Sequence, residues 1–310
     1  MERIFNIYVY YDREVCSELG YVVYEHHGDD NSGAALLKES FRRDLSKATR
    51  VKLKKPFTRE EYNARARLGE SHFLFEDLYR AANAGLSPLV LATPVVDGVI
   101  TFNYSSGMGP SIMSEISEKL GANGLMDDWL VKYTGERGFD MPRLIHDDYF
   151  LAIKLTYNAG LYVSAMKLLM SCIDSVAYID LGDIRKPPSF ITWLETYVDL
   201  KKIGITAAEV WELRNGMLHM SNINSERVRA NKIRRISFSV GVLPESLKNA
   251  AVSSELHYFE FLGLINAFSD GISRWVQTYN TDPEKFYKFV ERYDEVVSDS
   301  RMAFAHVSGI

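Results

Sequence analysis

The sequence predicts an α+β protein in which a mixed α/β N-terminal region precedes an all-helical bundle with a short β interruption. Two observations carry this prediction. Several segments in the first ~140 residues alternate apolar and polar residues with the period of a strand, whereas the later segments repeat their apolar residues at helical spacing. The chain has 310 residues, enough for two domains with separate cores. We place the boundary in the Gly-rich stretch 135–138, which divides the chain into residues 1–140 and 141–310.

The first half is predicted to contain four strands and three helices. The strands are segments rich in Tyr, Val and Ile: 4–11, 20–26, 89–96 and 99–104. The helices cover 32–46, 58–85 and a segment that follows the loop 105–110 and ends near 120. Thr58 and Glu61 form a capping-box pattern at the start of the second helix. Asp97-Gly98 is typical of a two-residue hairpin turn.

The second half is predicted to be helical. Its helices are separated by glycine and proline signals: 147–157, 161–179, 189–200, a helix that starts at a Thr206–Glu209 capping box, 255–279 and 282–297. Ser189 is the expected cap of the third of these helices, after the Pro-Pro breaker. A strand-like stretch, 233–242, interrupts the helical pattern. This order of elements indicates a bundle with a small β insertion.

The chain is slightly acidic overall, but its basic residues are unevenly placed. The formal net charge is -5, which argues against a strongly basic protein that binds nucleic acid over its whole surface. Between Arg42 and Arg67 there are ten Lys or Arg residues and three acidic ones. A second basic cluster occurs late in the chain: Arg227, Arg229, Lys232, Arg234 and Arg235. Each cluster fits either a solvated face or a nucleic-acid partner.

Targeting and redox signals favour a cytoplasmic protein. The only two cysteines, Cys16 and Cys172, have no metal-ligand spacing and indicate a reducing compartment. Residues 3–11 alternate like a strand and lack the apolar core of a signal peptide. The stretch 86–102 is apolar but broken by prolines, so we expect no membrane span.

Two polar motifs of the first half are weak signals. His26-His27 with Asp29-Asp30 could bind a metal, but a polar turn after a strand explains it as well, and we prefer the turn. The loop 107–110 could cradle a phosphate, although it lacks the third glycine of a dinucleotide fingerprint and the lysine of a P-loop. If that loop binds a ligand, the N-terminal region would be a sensor or regulator. We expect no cofactor and no metal site.

One helix carries the residues with the clearest chemistry, and a helical wheel separates its two faces. Arg214 falls in the apolar half, where a permanent charge requires an anion. Asp174, on the preceding apolar helix, is one candidate, and a phosphate is another. The polar half of the wheel holds Glu212, Asn215, Gly216 and His219. Arg214 and His219 lie about 140° apart, so two copies of the helix, meeting across a two-fold axis, would be needed to build one cleft.

These residue types suit RNA cleavage without a metal. Histidine titrates near neutrality and can deprotonate a 2′-hydroxyl. Arginine has a fixed fork of donors that can stabilise a phosphorane-like transition state, and Asn215 could orient either partner. Lys167 and Asp174, seven residues apart on one helix, share a stripe; they fit a structural ion pair or support for Arg214. Glu212 is a further supporting candidate.

The segment from Glu212 to Met220 resembles the RNxxxH signature of the HEPN family, small helical domains of prokaryotic defence and toxin systems. The order of the preceding helices is also similar, and the resemblance covers about residues 141 to 280. It implies a homodimeric, metal-independent endoribonuclease with Arg214 and His219 as catalytic residues and Asn215 as their polar companion. The basic cluster at 227–235 would then follow the RNA backbone. Some HEPN toxins are silenced at a tyrosine two positions after the histidine, but Ser221 occupies that position here. Some members are non-catalytic RNA-binding or protein-interaction scaffolds, which is the alternative function.

Overall fold

The computed structural model describes residues 2–85, 88–100, 104–106, 128–136, 138–220, 223–244, 246, 256–282 and 284–296, with the backbone alone at 104–106, 219 and 220. The chain divides into two compact units: the described part of the first lies before residue 129, and the second runs from Trp129 to Val296. The first unit is built on a mixed sheet and the second is mainly helical, so the predicted α+β class is confirmed. The Gly-rich stretch 135–138 lies in the second unit, after this division.

Unit 1 contains a sheet of six described strands. They are β1 (Glu2–Asp12), β2 (Val15–His26), β3 (Thr49–Thr58), β4 (Val90–Val96), β5 (Val99–Ile100) and β6 (Tyr104–Ser106). Their order is β3-β2-β1-β4-β5, and β6 also pairs with β4. The β1–β4 pair is parallel and the other pairs are antiparallel. Asp97 and Gly98 both have positive φ, 51° and 77°, as a type I′ hairpin turn requires, which confirms that prediction.

The central strand β1 is buried on both faces of the sheet. Ile4 and Leu91 pack against Leu37 and Phe41 of α1 (Asp30–Asp44). Alternate β1 residues, such as Phe5, contact the core beneath α2 (Arg59–Arg67) and α3 (Glu76–Ala81). A strand that is covered on both faces has an almost continuous run of apolar residues. This explains why the sequence of β1 predicted a strand.

Two predictions for unit 1 need correction. The helix expected over 58–85 is interrupted: α2 ends at Arg67, Gly69 adopts φ 74°, and a 3-10 turn at 71–75 precedes α3. Glycine tolerates this left-handed conformation, which breaks the helical hydrogen-bond pattern. β3 is an edge strand within the basic run and was not predicted, because its lysines and arginines mask the alternation of Val51 and Leu53.

Unit 2 consists mainly of helices with two small β pairs. Its elements are α4 (Trp129–Lys132), β7 (Thr134–Gly135), β8 (Gly138–Phe139), α5 (Met141–Ile145), α6 (Leu151–Asn158), α7 (Tyr162–Leu181), α8 (Ser189–Tyr197), α9 (Ala207–Met220), α10 (Glu226–Arg229), β9 (Arg235–Ser239), β10 (Leu256–Glu260), α11 (Phe261–Gln277) and α12 (Glu284–Glu295). A π-helical turn at 146–150 joins α5 to α6, and 3-10 turns lie at 200–203 and 278–280.

Two helix starts in unit 2 differ from the prediction. The segment 256–260 forms β10, parallel to β9, and α11 begins only at Phe261. The Glu260 carboxylate accepts hydrogen bonds from the N–H groups of Leu262 and Gly263 and thereby caps α11. Pro188 rather than Ser189 is the N-cap of α8, and the Ser189 hydroxyl instead bonds to the preceding loop.

Helix α7 is the central helix of unit 2, packing against α6, α8, α9 and α12. Among the described helices it is the one that is long and apolar enough to cross a membrane, and half of its apolar window is buried within the fold. Its buried side chains include Met166, Leu169 and Ile173. Burial against neighbouring helices is the usual state of a core helix, and it places Asp174 of α7 close to α9.

Candidate active site

The helix that carries the motif starts at a complete capping box. The Thr206 N–H donates to Glu209 Oε2 at 2.8 Å, and the Glu209 N–H donates to Thr206 Oγ1 at 3.3 Å. This reciprocal pair satisfies two N–H groups that the first turn leaves unpaired. The sequence prediction is confirmed here. Because α9 is continuous to Met220, residues 214, 215 and 219 belong to one helix.

Arg214 is held by a carboxylate from α7. Its Nε donates to Asp174 Oδ2 at 2.7 Å, and its Nη2 lies 2.7 Å from the same oxygen. The Arg214 side chain is 19% exposed and that of Asp174 is 28% exposed. The wheel prediction that Arg214 requires an anion, with Asp174 as a candidate, is confirmed. The pair neutralises the guanidinium charge on a face that otherwise packs into the core.

Two α9 neighbours also contact Arg214. Its Nη1 donates to Asn215 Oδ1 at 3.1 Å, and its guanidinium carbon lies 5.0 Å from the centre of the Trp211 ring. Sequence reasoning missed this role of Trp211, although its position three residues before Arg214 on the same helical face was a usable signal. These contacts fix the guanidinium in one orientation.

The His219 side chain lies outside the described residues, and the backbone of residue 219 is helical. Its angular separation from Arg214 of about 140° therefore stays a prediction from helical spacing. Asn215 is half-buried and occupies the helical position four residues before His219.

Glu212 and Gly216, which the wheel places on the polar half of the helix, are both buried. Glu212 accepts hydrogen bonds from Ser225 Oγ at 2.6 Å and Arg227 Nη1 at 3.3 Å. Ser225 and Arg227, in the chain that follows α9, contact Glu212, and a wheel for an isolated helix does not show such contacts. Glu212 therefore anchors the segment after the motif. Lys167 lies half-buried on α7, two turns before Asp174.

The five basic residues after α9 separate into two groups. Arg227 pairs with Glu212, and Arg234 donates to Glu209 Oε1 at 2.6 Å and to the Gly204 carbonyl at 2.7 Å. The others, together with Arg234, line a groove of about 630 Å³: Arg229, Lys232 and Arg235. Arg229 and Lys232 are exposed and are well placed to meet a phosphate backbone.

The Arg234 contact changes the acidity of Glu209. Burial alone would raise the pKa of this carboxyl, but hydrogen bonds from Arg234 and Thr206 outweigh burial, and the pKa lies below its ordinary value. The carboxylate therefore remains charged while it caps α9 and binds Arg234. This connects the start of the motif helix to the basic segment that follows it.

A second groove lies beside the Arg214–Asp174 pair. It has a volume of about 340 Å³ and is formed by the end of α7, the loop to α8, the start of α8 and one face of α9. Asp174 and Trp211, both contacts of Arg214, line it. The guanidinium of Arg214 therefore contacts two of the side chains that line this groove.

The basic run of unit 1 is largely used in ion pairs within that unit. Examples are Arg50–Glu18 at 2.7 Å, Arg59–Glu14 at 3.2 Å and the buried Arg67–Asp128 pair. These contacts favour the structural explanation of the run over a nucleic-acid surface.

The His26 and Asp29 motif forms a polar turn. The Asp29 carboxylate accepts from the Ser32 N–H at 2.8 Å and caps α1, and His26 Nε2 lies 2.9 Å from the Ser32 hydroxyl. Among the described residues, no group of three His, Cys, Asp or Glu side chains could hold a metal ion. The loop 107–110 lies outside the described residues.

No family model, no curated protein and no solved structure matches this chain. A function must therefore be argued from the geometry around α9 and from the RNxxxH motif.

Proposed function

We propose that this protein is a metal-independent endoribonuclease of the HEPN type, active in the cytoplasm as a homodimer, with a role in prokaryotic defence or toxin activity. One observation carries the proposal: the arginine of an RNxxxH motif is held by Asp174, Asn215 and Trp211, and two of these, Asp174 and Trp211, line a groove. A preoriented guanidinium at such a position can bind a phosphate without paying for its own ordering.

The proposed reaction divides the chemistry between Arg214 and His219. One histidine removes the proton from the 2′-hydroxyl, and the 2′-oxygen forms a bond to phosphorus while the bond to the 5′-oxygen breaks. A protonated histidine, supplied by the second chain, gives its proton to the leaving 5′-oxygen. Arg214 stabilises the extra negative charge on the phosphoryl oxygens. The products are a 2′,3′-cyclic phosphate and a 5′-hydroxyl.

A second chain is needed because of the spacing of Arg214 and His219 along one helix. A separation of about 140° between Arg214 and His219 points them away from each other on one helix, so we propose a cleft formed by two copies of α9. Arg229 and Lys232 would contact the RNA backbone outside that cleft, which is a salt-sensitive contribution. Unit 1 would bind a regulatory ligand or partner.

The alternative is a non-catalytic HEPN scaffold that binds RNA or a protein. A specific observation favours it: Asp174 already supplies Arg214 with an anion, so the arginine has a structural function without any substrate. In the nuclease, by contrast, Asp174 positions the guanidinium so that it can bind the phosphate.

The test is cleavage of mixed single-stranded RNAs in excess EDTA by wild type, Arg214→Ala and His219→Ala. Matched controls are Arg143→Ala and His146→Ala, which alter an exposed arginine and a half-buried histidine of the same unit. We expect cleavage by wild type and both controls, loss of cleavage by both motif variants, and 5′-hydroxyl ends on the products. Cleavage that survives both motif substitutions contradicts the site, and loss of wild-type cleavage in EDTA contradicts the metal-free mechanism. RNA or partner binding without any cleavage supports the scaffold.

Light scattering tests the composite cleft. We expect the mass of two chains in solution. Mixing wild type with excess His219→Ala should lower the activity per wild-type chain, because a mixed dimer contains one histidine and the proposed reaction uses one from each chain. A mass equal to one chain, with full cleavage activity, contradicts the two-chain site.

A further inference from the structure

The groove beside Arg214 has walls that the cleavage chemistry does not use. We infer that it binds one nucleobase of a single-stranded RNA, with guanine as the preferred base; this inference rests on the proposed ribonuclease function. The argument depends on the shape of the groove, the order of its loop wall and the hydrogen-bonding groups at its rim.

The size and walls of the groove fit one base. Its volume of about 340 Å³ lies at the small end of the range for ligand pockets, ~300–1,000 Å³. Its apolar lining includes Ile184, Pro188, Phe190 and Trp211, and the two aromatic rings lie 5.3 Å apart. Proteins that read RNA sequence usually do so in single strands, where an unstacked base can lie against aromatic side chains.

The loop that forms one wall is held in place by Ser189. The Ser189 hydroxyl accepts a hydrogen bond from the Ile184 N–H at 2.9 Å and donates one to the Gly182 carbonyl at 2.5 Å. Gly182 has φ 73°, and a side chain there would also meet the Arg292 guanidinium at 3.3 Å. Because the loop is closed at both ends, the wall is formed before a ligand arrives, which lowers the entropic cost of binding.

The rim of the groove carries the groups that can distinguish bases. Asp183 and Arg185 lie 3.5 Å apart and are 71% and 86% exposed, so their mutual attraction is weak. An ionised carboxylate only accepts hydrogen bonds. Guanine alone among the four bases presents two adjacent N–H donors on one edge, and its O6 and N7 atoms are the usual acceptors for arginine.

The position of the groove places this base next to the scissile phosphate. Asp174 and Trp211 line the groove and also contact Arg214. The carboxylates of Asp174 and Asp183 disfavour a phosphate within the groove itself, because like charges repel. A nucleotide whose phosphate lies at Arg214 would therefore direct its base into the groove.

The experiment measures binding of the four 5′-mononucleotides to the full chain by calorimetry in EDTA. A good bidentate contact discriminates between bases by ~1–3 kcal/mol, or about 5- to 150-fold in affinity. We expect guanosine monophosphate to bind at least about tenfold more tightly than the other three. Asp183→Asn should remove this preference, and Asp270→Asn, which also removes one exposed negative charge from unit 2, should retain it.

Equal affinity for the four nucleotides, no binding of any of them, or a guanine preference that Asp183→Asn leaves intact would overturn the inference. RNA cleavage is measured in parallel, so the two proposals fail separately. Cleavage without nucleotide discrimination rejects only the base pocket. Guanine-selective binding without RNA cleavage rejects only the nuclease. A circular dichroism spectrum of Asp183→Asn that matches wild type excludes misfolding as the cause of lost binding.

Discussion

Both Nε and Nη2 of Arg214 lie 2.7 Å from a single oxygen, Oδ2, of Asp174. The two residues are 40 positions apart in sequence and join α7 to α9. The contact neutralises a charge that is largely removed from water, and Asp174 itself lines the small groove.

Asp174→Asn tests how much this contact stabilises unit 2. The substitution keeps the shape of the side chain but removes the negative charge, so Arg214 loses its ionic partner. We expect the free energy of unfolding in urea to fall by about 1.5–3 kcal/mol, the range for hydrogen bonds that involve a charged group. Asp270→Asn, on the exposed face of α11, should change it by less than about 0.5 kcal/mol. Equal stability of Asp174→Asn and wild type would show that the ion pair is not a structural anchor.

Arg234→Gln should make unit 2 more sensitive to acid. The pKa of Glu209 in the folded protein is below its ordinary value of 4.5, so the stability from this group is present above that value and is lost as the pH falls through the folded-state pKa. Without Arg234, the Glu209 pKa is higher than in wild type, because burial is no longer offset by this partner. The loss of folding stability on acidification therefore begins at a higher pH. Urea unfolding at a series of pH values measures this shift, with Arg229→Gln as the control. Identical pH profiles for Arg234→Gln and wild type would contradict the role of the pair.

Thr206→Ala should destabilise the motif helix at its start. The substitution removes the hydroxyl that accepts the Glu209 N–H, and loss of such a cap costs about 0.5–2 kcal/mol. Thr206→Ser retains a hydroxyl at the same position and should recover most of that loss. Chemical denaturation of the three proteins checks the order. If Thr206→Ser is as unstable as Thr206→Ala, the methyl group rather than the cap accounts for the effect.

Arg229→Gln with Lys232→Gln should weaken RNA binding without changing stability. Both residues are exposed in the larger groove, and each phosphate contact with single-stranded RNA contributes ~0.7 to the salt dependence of log K. We therefore expect the slope to fall by about 1.4 in anisotropy titrations at different salt concentrations, with Lys154→Gln as the control. An unchanged slope would place the RNA elsewhere.

Arg227→Gln should instead lower stability, because it leaves buried Glu212 without its ionic partner.

Several elements were predictable because they depend on interactions between residues that are close together in the sequence. The apolar runs of β1 and α7 reflect burial on most sides, and the Thr206–Glu209 box depends on residues three positions apart. The Asp97-Gly98 turn needs only two residues that tolerate positive φ. The anion beside Arg214 was predictable for a related reason, since a charge on an apolar helical face must be neutralised wherever it folds.

Tertiary structure alone decided which long-range partners these elements meet. It buried Glu212 against the chain that follows α9, paired Arg234 with Glu209, and turned 256–260 into a strand beside β9. It also formed the groove from α7, α8 and α9. Helical spacing determines where a side chain points around its own axis, but burial and charge pairing depend on segments distant in sequence, whose positions are determined only when the whole core packs.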